Sequence, residues 1–138
     1  MELNYDCFRQ VLIVLEDKLT FNQEDPDDPY CISYPSYSIS DLITDNKLKG
    51  YSIFEVFYAL SNLEQAGYIT ANIGFGSDVL DDCNVTDITF SGHMFLKNIR
   101  DDGIWNKVKA GLGRVGGASL TIASQLAIAY IKEQIGLA

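Results

Sequence analysis

The sequence predicts an α+β fold, with a winged helix-turn-helix body, a two-stranded wing and an additional apolar C-terminal helix. Two observations predict the body: a capped amphipathic helix over residues 53–66, and two strand-like segments that follow it on either side of a turn. A third, the 17-residue uncharged run from Val115 to Ile131, predicts the extra helix. We therefore expect a winged-helix-like domain over residues 1–110, then a glycine joint and a packing or oligomerisation helix over residues 111–138.

The N-terminal segment predicts a helix followed by a loop. Apolar residues recur at helical spacing and indicate an amphipathic helix ending near Leu19, with Arg9 on its polar side. Its apolar face is Leu3, Cys7, Phe8, Val11, Leu12 and Leu15. The stretch Asn22–Pro29 contains four acids and two prolines. Proline interrupts helices and central strands, so this stretch predicts an exposed acidic loop.

A strand and a short helix are predicted next. Tyr30–Ile39 is rich in aromatic and β-branched residues, which favour strands. Pro35 lies inside it and cannot donate to a sheet ladder, so the segment is expected to be an edge strand or an extended entry segment. Either Ser38 or Ser40 can then cap a short helix.

The helix over residues 53–66 has the clearest local pattern in the chain. Ser52 stands at the N-cap and Glu55 follows three residues later, which is the capping-box arrangement. Gly67 stands where a left-handed residue ends a helix. The predicted apolar face consists of Ile53, Val56, Phe57, Leu60 and Leu63.

Beyond this helix, Tyr68–Ile73 and Asn84–Phe90 predict the two strands of a hairpin, joined by the Gly- and Asp-rich stretch GFGSDVLDD. Helix, short strand, helix, capped helix and hairpin follow one another in the order of a winged helix-turn-helix. The capped helix would then take the recognition-helix position, and the hairpin would be the wing.

Two further helices are predicted after the hairpin. Ser91 can cap one that runs to Arg100, and Asp101 or Asp102 can cap a short one that carries Trp105. We expect one core to contain Phe57, Leu60, Leu63, Ile69, Ile88, Phe95, Leu96 and Trp105.

The C-terminal run predicts a helix that packs closely against another helix. Ser119, Ala123 and Ala127 recur every four residues, and small side chains at this spacing allow close approach. The run is shorter than the about 20 apolar residues of a membrane span and contains polar residues, so membrane contact is disfavoured. The joint before it would be Gly111, Gly113, Gly116 and Gly117. We expect a homo-oligomer whose interface is formed by Leu120, Ala123, Leu126, Ala127, Tyr130 and Ile131.

The charge distribution argues against nucleic acid as the usual partner. The net charge is −9, and no Lys or Arg occurs between Gly50 and Leu96, where the recognition helix and wing are predicted. Proteins that bind nucleic acid contact phosphates mainly through Lys and Arg. The acids of this span therefore predict a face that binds a basic partner protein: Glu55, Glu64, Asp78, Asp81, Asp82 and Asp87.

The sequence contains no motif of catalysis, metal binding or cofactor binding. One histidine and three separated cysteines cannot form a zinc set, and no nucleophile–base motif or phosphate loop occurs. We therefore expect that the protein is not an enzyme and that it binds no cofactor. The N-terminal residues lack the basic, apolar pattern of a signal peptide, and reduced cysteines fit a cytoplasmic location.

Three segments carry a family resemblance: NYDCFRQVL, YSIFEVFYALSNLEQAGYI and DITFSGHMFLKNIRDDGIWNKVK. They resemble the domain-of-unknown-function family 2513, a family of small bacterial and prophage-borne proteins. Its pattern singles out His93, Arg100 and Trp105 in this chain. The resemblance implies a winged-helix-like body, a mobile-element origin and a bacterial host cytoplasm. It implies no reaction, substrate or cofactor.

Three functional hypotheses follow from these patterns. The leading one is a non-catalytic accessory protein whose acidic winged-helix face binds a basic protein, for example as a nucleic-acid-mimicking inhibitor of a host factor. The second is a DNA-binding transcriptional regulator that docks through Asn62, Gln65 and the basic residues Lys97, Arg100 and Lys107. The third is a membrane-associated phage protein anchored by Val115–Ile131.

Overall fold

The computed structural model describes residues 2–115 and 120–136, and it has the α+β composition that the sequence predicts. The chain divides into two compact units, Met1–Thr89 and Phe90–Ala138. The first contains three helices and all the described strands, and the second contains three helices.

Helix α1 covers Tyr5–Lys18 and begins where the side chain of Asn4 accepts a hydrogen bond from the backbone N–H of Cys7, at 3.1 Å. Its buried face is wider than predicted, because Arg9 is only 7% exposed. The long aliphatic stem of arginine can pack along apolar surface, which the apolar periodicity does not register. The buried residues are Cys7, Phe8, Arg9, Val11, Leu12, Val14 and Leu15.

A two-stranded hairpin follows α1. Strand β1, Asn22–Gln23, pairs antiparallel with β2, Ile32–Ser33. The predicted loop Asn22–Pro29 therefore begins inside a short strand, although every residue of it is exposed as expected.

Strand β3 and helix α2 come next. β3, Tyr37–Ser38, pairs with β5 at the edge of the second sheet. The segment Tyr30–Ile39, predicted as one edge strand or extended entry segment, therefore contains two short strands in different sheets, β2 before Pro35 and β3 after it. Helix α2 covers Ile39–Thr44, and Ser38 caps it by accepting a hydrogen bond from the backbone N–H of Asp41, at 3.2 Å.

Helix α3, Ile53–Gln65, begins and ends as its local sequence predicts. The capping box of Ser52 and Glu55 is formed, and Gly67 has a φ of +79° after the C-cap. α3 packs against α1, α2 and the following strand. The predicted face is partly wrong, because Ile53 is 46% exposed and Phe57 is only half-buried. The buried residues are Val56, Ala59, Leu60 and Leu63.

Strands β4, Ile69–Gly76, and β5, Val79–Ile88, form an antiparallel hairpin longer than the one predicted. Only Ser77 and Asp78 form the turn, both with positive φ, as a two-residue hairpin turn requires. β3, β5 and β4 lie in this order in the sheet, so the last strand lies between the other two.

The second unit consists of α4, Phe90–Ile99, α5, Asp102–Val115, and α6, Leu120–Gln134, each packed against the other two. Asp101 caps α5, since its Oδ1 accepts a hydrogen bond from the backbone N–H of Ile104 at 2.9 Å. The buried residues here are Phe95, Leu96, Ile99, Ile104, Trp105, Val108, Leu112, Ala123 and Ala127.

The residues predicted for one core are distributed over both units. Leu60, Leu63, Ile69 and Ile88 are buried in the first; Phe95, Leu96 and Trp105 are buried in the second.

The glycine joint was wrongly placed at Gly111 and Gly113, because both lie inside α5. At Gly111 a Cβ would come within 3.0 Å of Leu126 Cδ1 and of the Tyr130 hydroxyl, so this glycine permits close packing of α5 and α6. Gly116 and Gly117 lie outside the described residues.

Candidate interaction surface

The six acids of the predicted partner-binding face lie on two elements of the first unit. Glu55 and Glu64 belong to α3, while the four aspartates belong to the β4–β5 hairpin. Five of the six side chains are exposed: Glu64, Asp78, Asp81, Asp82 and Asp87. Glu55 is half-buried.

Glu55 is occupied by a structural network. Its Oε2 accepts a hydrogen bond from Nδ2 of Asn4 at 2.6 Å, and its Oε1 accepts one from the backbone N–H of Ser52 at 3.1 Å. These hydrogen bonds, that from Asn4 foremost, lower the pKa of the Glu55 carboxyl below its ordinary value of 4.5. Glu55 therefore ties the start of α3 to the start of α1, and it is not a free charge for a partner.

Asn4 is a residue that the sequence patterns did not single out. Its Oδ1 caps α1 while its Nδ2 binds Glu55, so one amide serves two helices. An asparagine just before an amphipathic helix is a recognisable cap. Its contact with Glu55 cannot be predicted from local sequence, because Glu55 lies 51 residues later in the chain.

The tip of the β4–β5 hairpin is built around Asp81. β5 has a bulge here, because Gly74 pairs with Asp82 and Phe75 pairs with Leu80, which leaves Asp81 between them. A Cβ at Gly76 would lie 2.7 Å from Oδ2 of Asp81, and one at Gly74 would lie 3.2 Å from Oδ1. The two glycines thus leave room for a carboxylate across the neighbouring strand, instead of forming the turn itself.

Exposed apolar residues accompany the carboxylates. Phe75 is 60% exposed and Val79 is 66% exposed. The ring of Phe75 meets that of Phe57 on α3 edge to face, with centroids 6.0 Å apart. Hairpin and helix therefore meet at this aromatic pair. We call the residues at the hairpin end the hairpin-tip surface; they are Phe75, Asp78, Val79, Asp81 and Asp82.

The residues considered for reading DNA bases are already engaged on α3. Nδ2 of Asn62 donates to the carbonyl oxygen of Tyr58 at 2.8 Å, and Nε2 of Gln65 donates to Oγ of Ser61 at 3.4 Å. The predicted basic residues are exposed but belong to the second unit: Lys97, Arg100 and Lys107.

The residues of the family pattern differ in their environment. Trp105 is 2% exposed within the second unit, and Nζ of Lys109 lies 6.0 Å from its ring centroid. His93 and Arg100 are exposed on the same unit, and both have interaction partners. Burial of this kind identifies Trp105 as a packing residue.

The residues predicted for an oligomer interface are partly used within the chain. Ala123 and Ala127 are 0% exposed. Leu126 and Tyr130 are half-buried, and their side chains lie next to Gly111 of α5. Ala123 and Ala127 therefore serve packing inside the second unit. Ile131 is half-buried, the side chain of Leu120 is not described, and Ser119 lies outside the described residues. The homo-oligomer stays a prediction.

The cysteines and acids form no metal centre in the part of the chain that the structure describes. Cys7 and Cys83 are buried and Cys31 is half-buried, each as a free thiol. Burial, followed by the nearby charge of Glu55, raises the pKa of the Cys7 thiol to about 12. Burial likewise raises the pKa of Cys83. Within the described residues, no helix is both long enough and apolar enough to cross a membrane.

Comparison with known proteins gives one match. The profile of a family described as "Hypothetical protein (DUF2513)" matches residues 2–119, most of the chain. No curated protein and no solved structure matches the sequence.

Proposed function

Since the chain belongs to the DUF2513 family, whose description names no activity, we propose a function from its own surface: a non-catalytic protein that binds a basic partner protein. The binding face is the acidic end of a winged helix. In biological terms, the protein would be a prophage accessory protein in the bacterial cytoplasm that inhibits a nucleic-acid-binding host factor.

Element order and sheet order support the winged helix. The first unit has the order α1, β3, α2, α3, β4 and β5, with the β1–β2 hairpin inserted between α1 and β3, and β3 pairs with β5 rather than with its neighbour in sequence. A helix, a short strand, two helices and a returning hairpin are the parts of that motif. α3 then takes the position of the recognition helix and β4–β5 that of the wing.

The composition of the hairpin-tip surface is the observation that carries the proposal. Three exposed carboxylates lie beside two exposed apolar side chains, and no Lys or Arg occurs between Gly50 and Leu96 to offset them. Phosphate groups are repelled by such a field, while a basic protein surface is attracted. Exposed apolar side chains within a polar rim are typical of protein–protein contacts.

Affinity capture from a bacterial host lysate tests this proposal. The intact chain would be compared with a variant that neutralises the tip, Asp78→Asn, Asp81→Asn and Asp82→Asn. The matched control neutralises three exposed acids elsewhere, Glu2→Gln, Asp17→Asn and Glu133→Gln. We expect a set of basic proteins that the intact chain and the control retain, and that is lost with the tip variant and at high salt. The same partners on all three proteins would contradict the proposal.

A binding titration with duplex DNA separates this function from the transcriptional regulator. Exposed Lys97, Arg100 and Lys107 are the residues that a regulator would use, and neutralising Z phosphates gives a slope of log affinity against log salt of about −0.9Z. We expect no measurable binding near physiological salt. Tight binding that weakens with salt and is lost on replacing these three residues would favour the regulator.

A further inference from the structure

A second exposed face lies on the β1–β2 hairpin, remote in sequence from the hairpin-tip surface. Tyr30, Ile32 and Tyr34 are alternate residues of the segment around β2: Ile32 belongs to the strand, Tyr34 follows it, and Tyr30 lies in the turn before it. They are 89%, 56% and 77% exposed, whereas the intervening Cys31 and Ser33 are half-buried. This part of the hairpin therefore exposes three large apolar or aromatic side chains.

The opposite strand extends this face. The ring of Phe21, 66% exposed, meets that of Tyr34 edge to face with centroids 5.8 Å apart. The register pairs Asn22 with Ser33, which places Phe21 across from Tyr34. We call this set the aromatic face; it consists of Phe21, Tyr30, Ile32 and Tyr34. An edge-to-face pair stabilises the hairpin, but it does not account for Tyr30 and Ile32, which lie beyond it.

The loop that joins the two strands carries four acids, Glu24, Asp25, Asp27 and Asp28, all exposed. No Lys or Arg occurs between Leu19 and Asn46 to balance them. The loop is held in place by its own hydrogen bonds, including those from Nε2 of Gln23 to the carbonyl oxygens of Asp25 at 3.0 Å and Asp28 at 3.3 Å. The exposed aromatic residues and the four exposed carboxylates thus belong to the same short hairpin.

We propose that the aromatic face and its acidic loop bind an arginine-containing, basic segment of a partner protein. A guanidinium group stacks on the faces of tyrosine and phenylalanine, and its positive charge is complementary to the loop carboxylates. A nucleic acid strand would also stack on aromatic rings, but its phosphates are repelled by the same carboxylates. This face is independent of the hairpin-tip surface, and either can fail without the other.

Isothermal titration calorimetry with the full chain tests the proposal. The probe is a short synthetic peptide rich in arginine, and its counterpart has citrulline, a neutral isostere, in place of every arginine. We expect the arginine peptide to bind and the citrulline peptide to bind at least tenfold more weakly. Equal affinity for the two peptides would overturn the proposal.

Substitutions then assign the binding to the aromatic face. Replacing Tyr30→Ala together with Tyr34→Ala should weaken the affinity about five- to thirtyfold, the product of two cation–π contacts. Tyr30→Phe with Tyr34→Phe should retain it. The matched control, Phe54→Ala with Phe90→Ala, removes two aromatic rings that are 74% and 80% exposed elsewhere and should leave it unchanged. An unchanged affinity in the Tyr-to-Ala variant, or an equal loss in the control, would overturn the assignment.

Discussion

Gly67 offers a direct test of how α3 ends. Its φ of +79° places it in the left-handed region, and the structure closes the helix around it with two hydrogen bonds. The backbone N–H of Tyr68 donates to the carbonyl of Leu63 at 2.9 Å, and that of Gly67 donates to the carbonyl of Glu64 at 3.0 Å. This is the Schellman arrangement, which needs a residue that tolerates positive φ. We expect Gly67→Ala to destabilise the fold.

The magnitude follows from the backbone alone. A Cβ at Gly67 would have no heavy atom within 4 Å, so alanine causes no clash there. The left-handed conformation costs a residue with a Cβ about 1–2 kcal/mol. Alanine also lowers the entropy of the unfolded chain, which stabilises the protein by about 0.4–1 kcal/mol. A net loss of about 1 kcal/mol in the free energy of unfolding remains.

Gly50→Ala is the matched control. A Cβ there is equally free of contacts, and the backbone of Gly50 does not have a left-handed φ. Gly50→Ala should therefore only lower the entropy of the unfolded chain, without straining the folded backbone. The free energies of unfolding of the two variants should then differ by the cost of the left-handed conformation, about 1–2 kcal/mol. Urea unfolding followed by far-ultraviolet circular dichroism should separate their midpoints by about 0.5–1 M, for a slope of about 2 kcal/mol/M.

Coincident midpoints for Gly67→Ala and Gly50→Ala would refute this reasoning, because the variants share every term except φ. A change in slope would also count against it, since the argument assumes that only the native backbone is strained. Gly67→Asn should lie between glycine and alanine, because asparagine tolerates the left-handed region better than alanine does.

Three further predictions concern the first unit. At pH values above the ordinary carboxyl pKa of 4.5, the wild type should be more stable than Glu55→Gln. The difference should vanish as the pH falls through the pKa of Glu55 in the folded protein, which is lowered. Urea unfolding midpoints measured against pH would check this, with Glu64→Gln as the control. In the native protein an alkylating reagent at pH 8 should modify half-buried Cys31 and spare Cys7, whose thiol pKa is raised to about 12; mass spectrometry showing Cys7 modified before unfolding would contradict it. Leu60→Ala, at a side chain 0% exposed, should cost about 2–5 kcal/mol in the free energy of unfolding, and a loss below about 1 kcal/mol would show that Leu60 is not in the core.

The sequence determined the ends of several helices because those ends depend on residues within a few positions of one another. Ser38, Ser52 and Asp101 each accept a hydrogen bond from a backbone N–H three residues later, and Gly67 supplies the left-handed residue after α3. The acids of the hairpin could likewise be predicted as exposed, since carboxylates are rarely buried without partners. These predictions needed no knowledge of which elements meet.

The tertiary structure decided what depends on two distant segments meeting. The sequence predicted Glu55 as part of a capping box and of the partner-binding face, whereas its contact with Asn4 of the α1 cap depends on the packing of two helices. The glycines before the hairpin turn suggested a loop, but Gly76 makes room for Asp81 on the next strand. Gly111 suggested a joint, yet it lies inside α5 where α6 approaches closely. A glycine has the same local pattern in a turn, a strand or a helix contact, so only the packed neighbour determines which of these it serves.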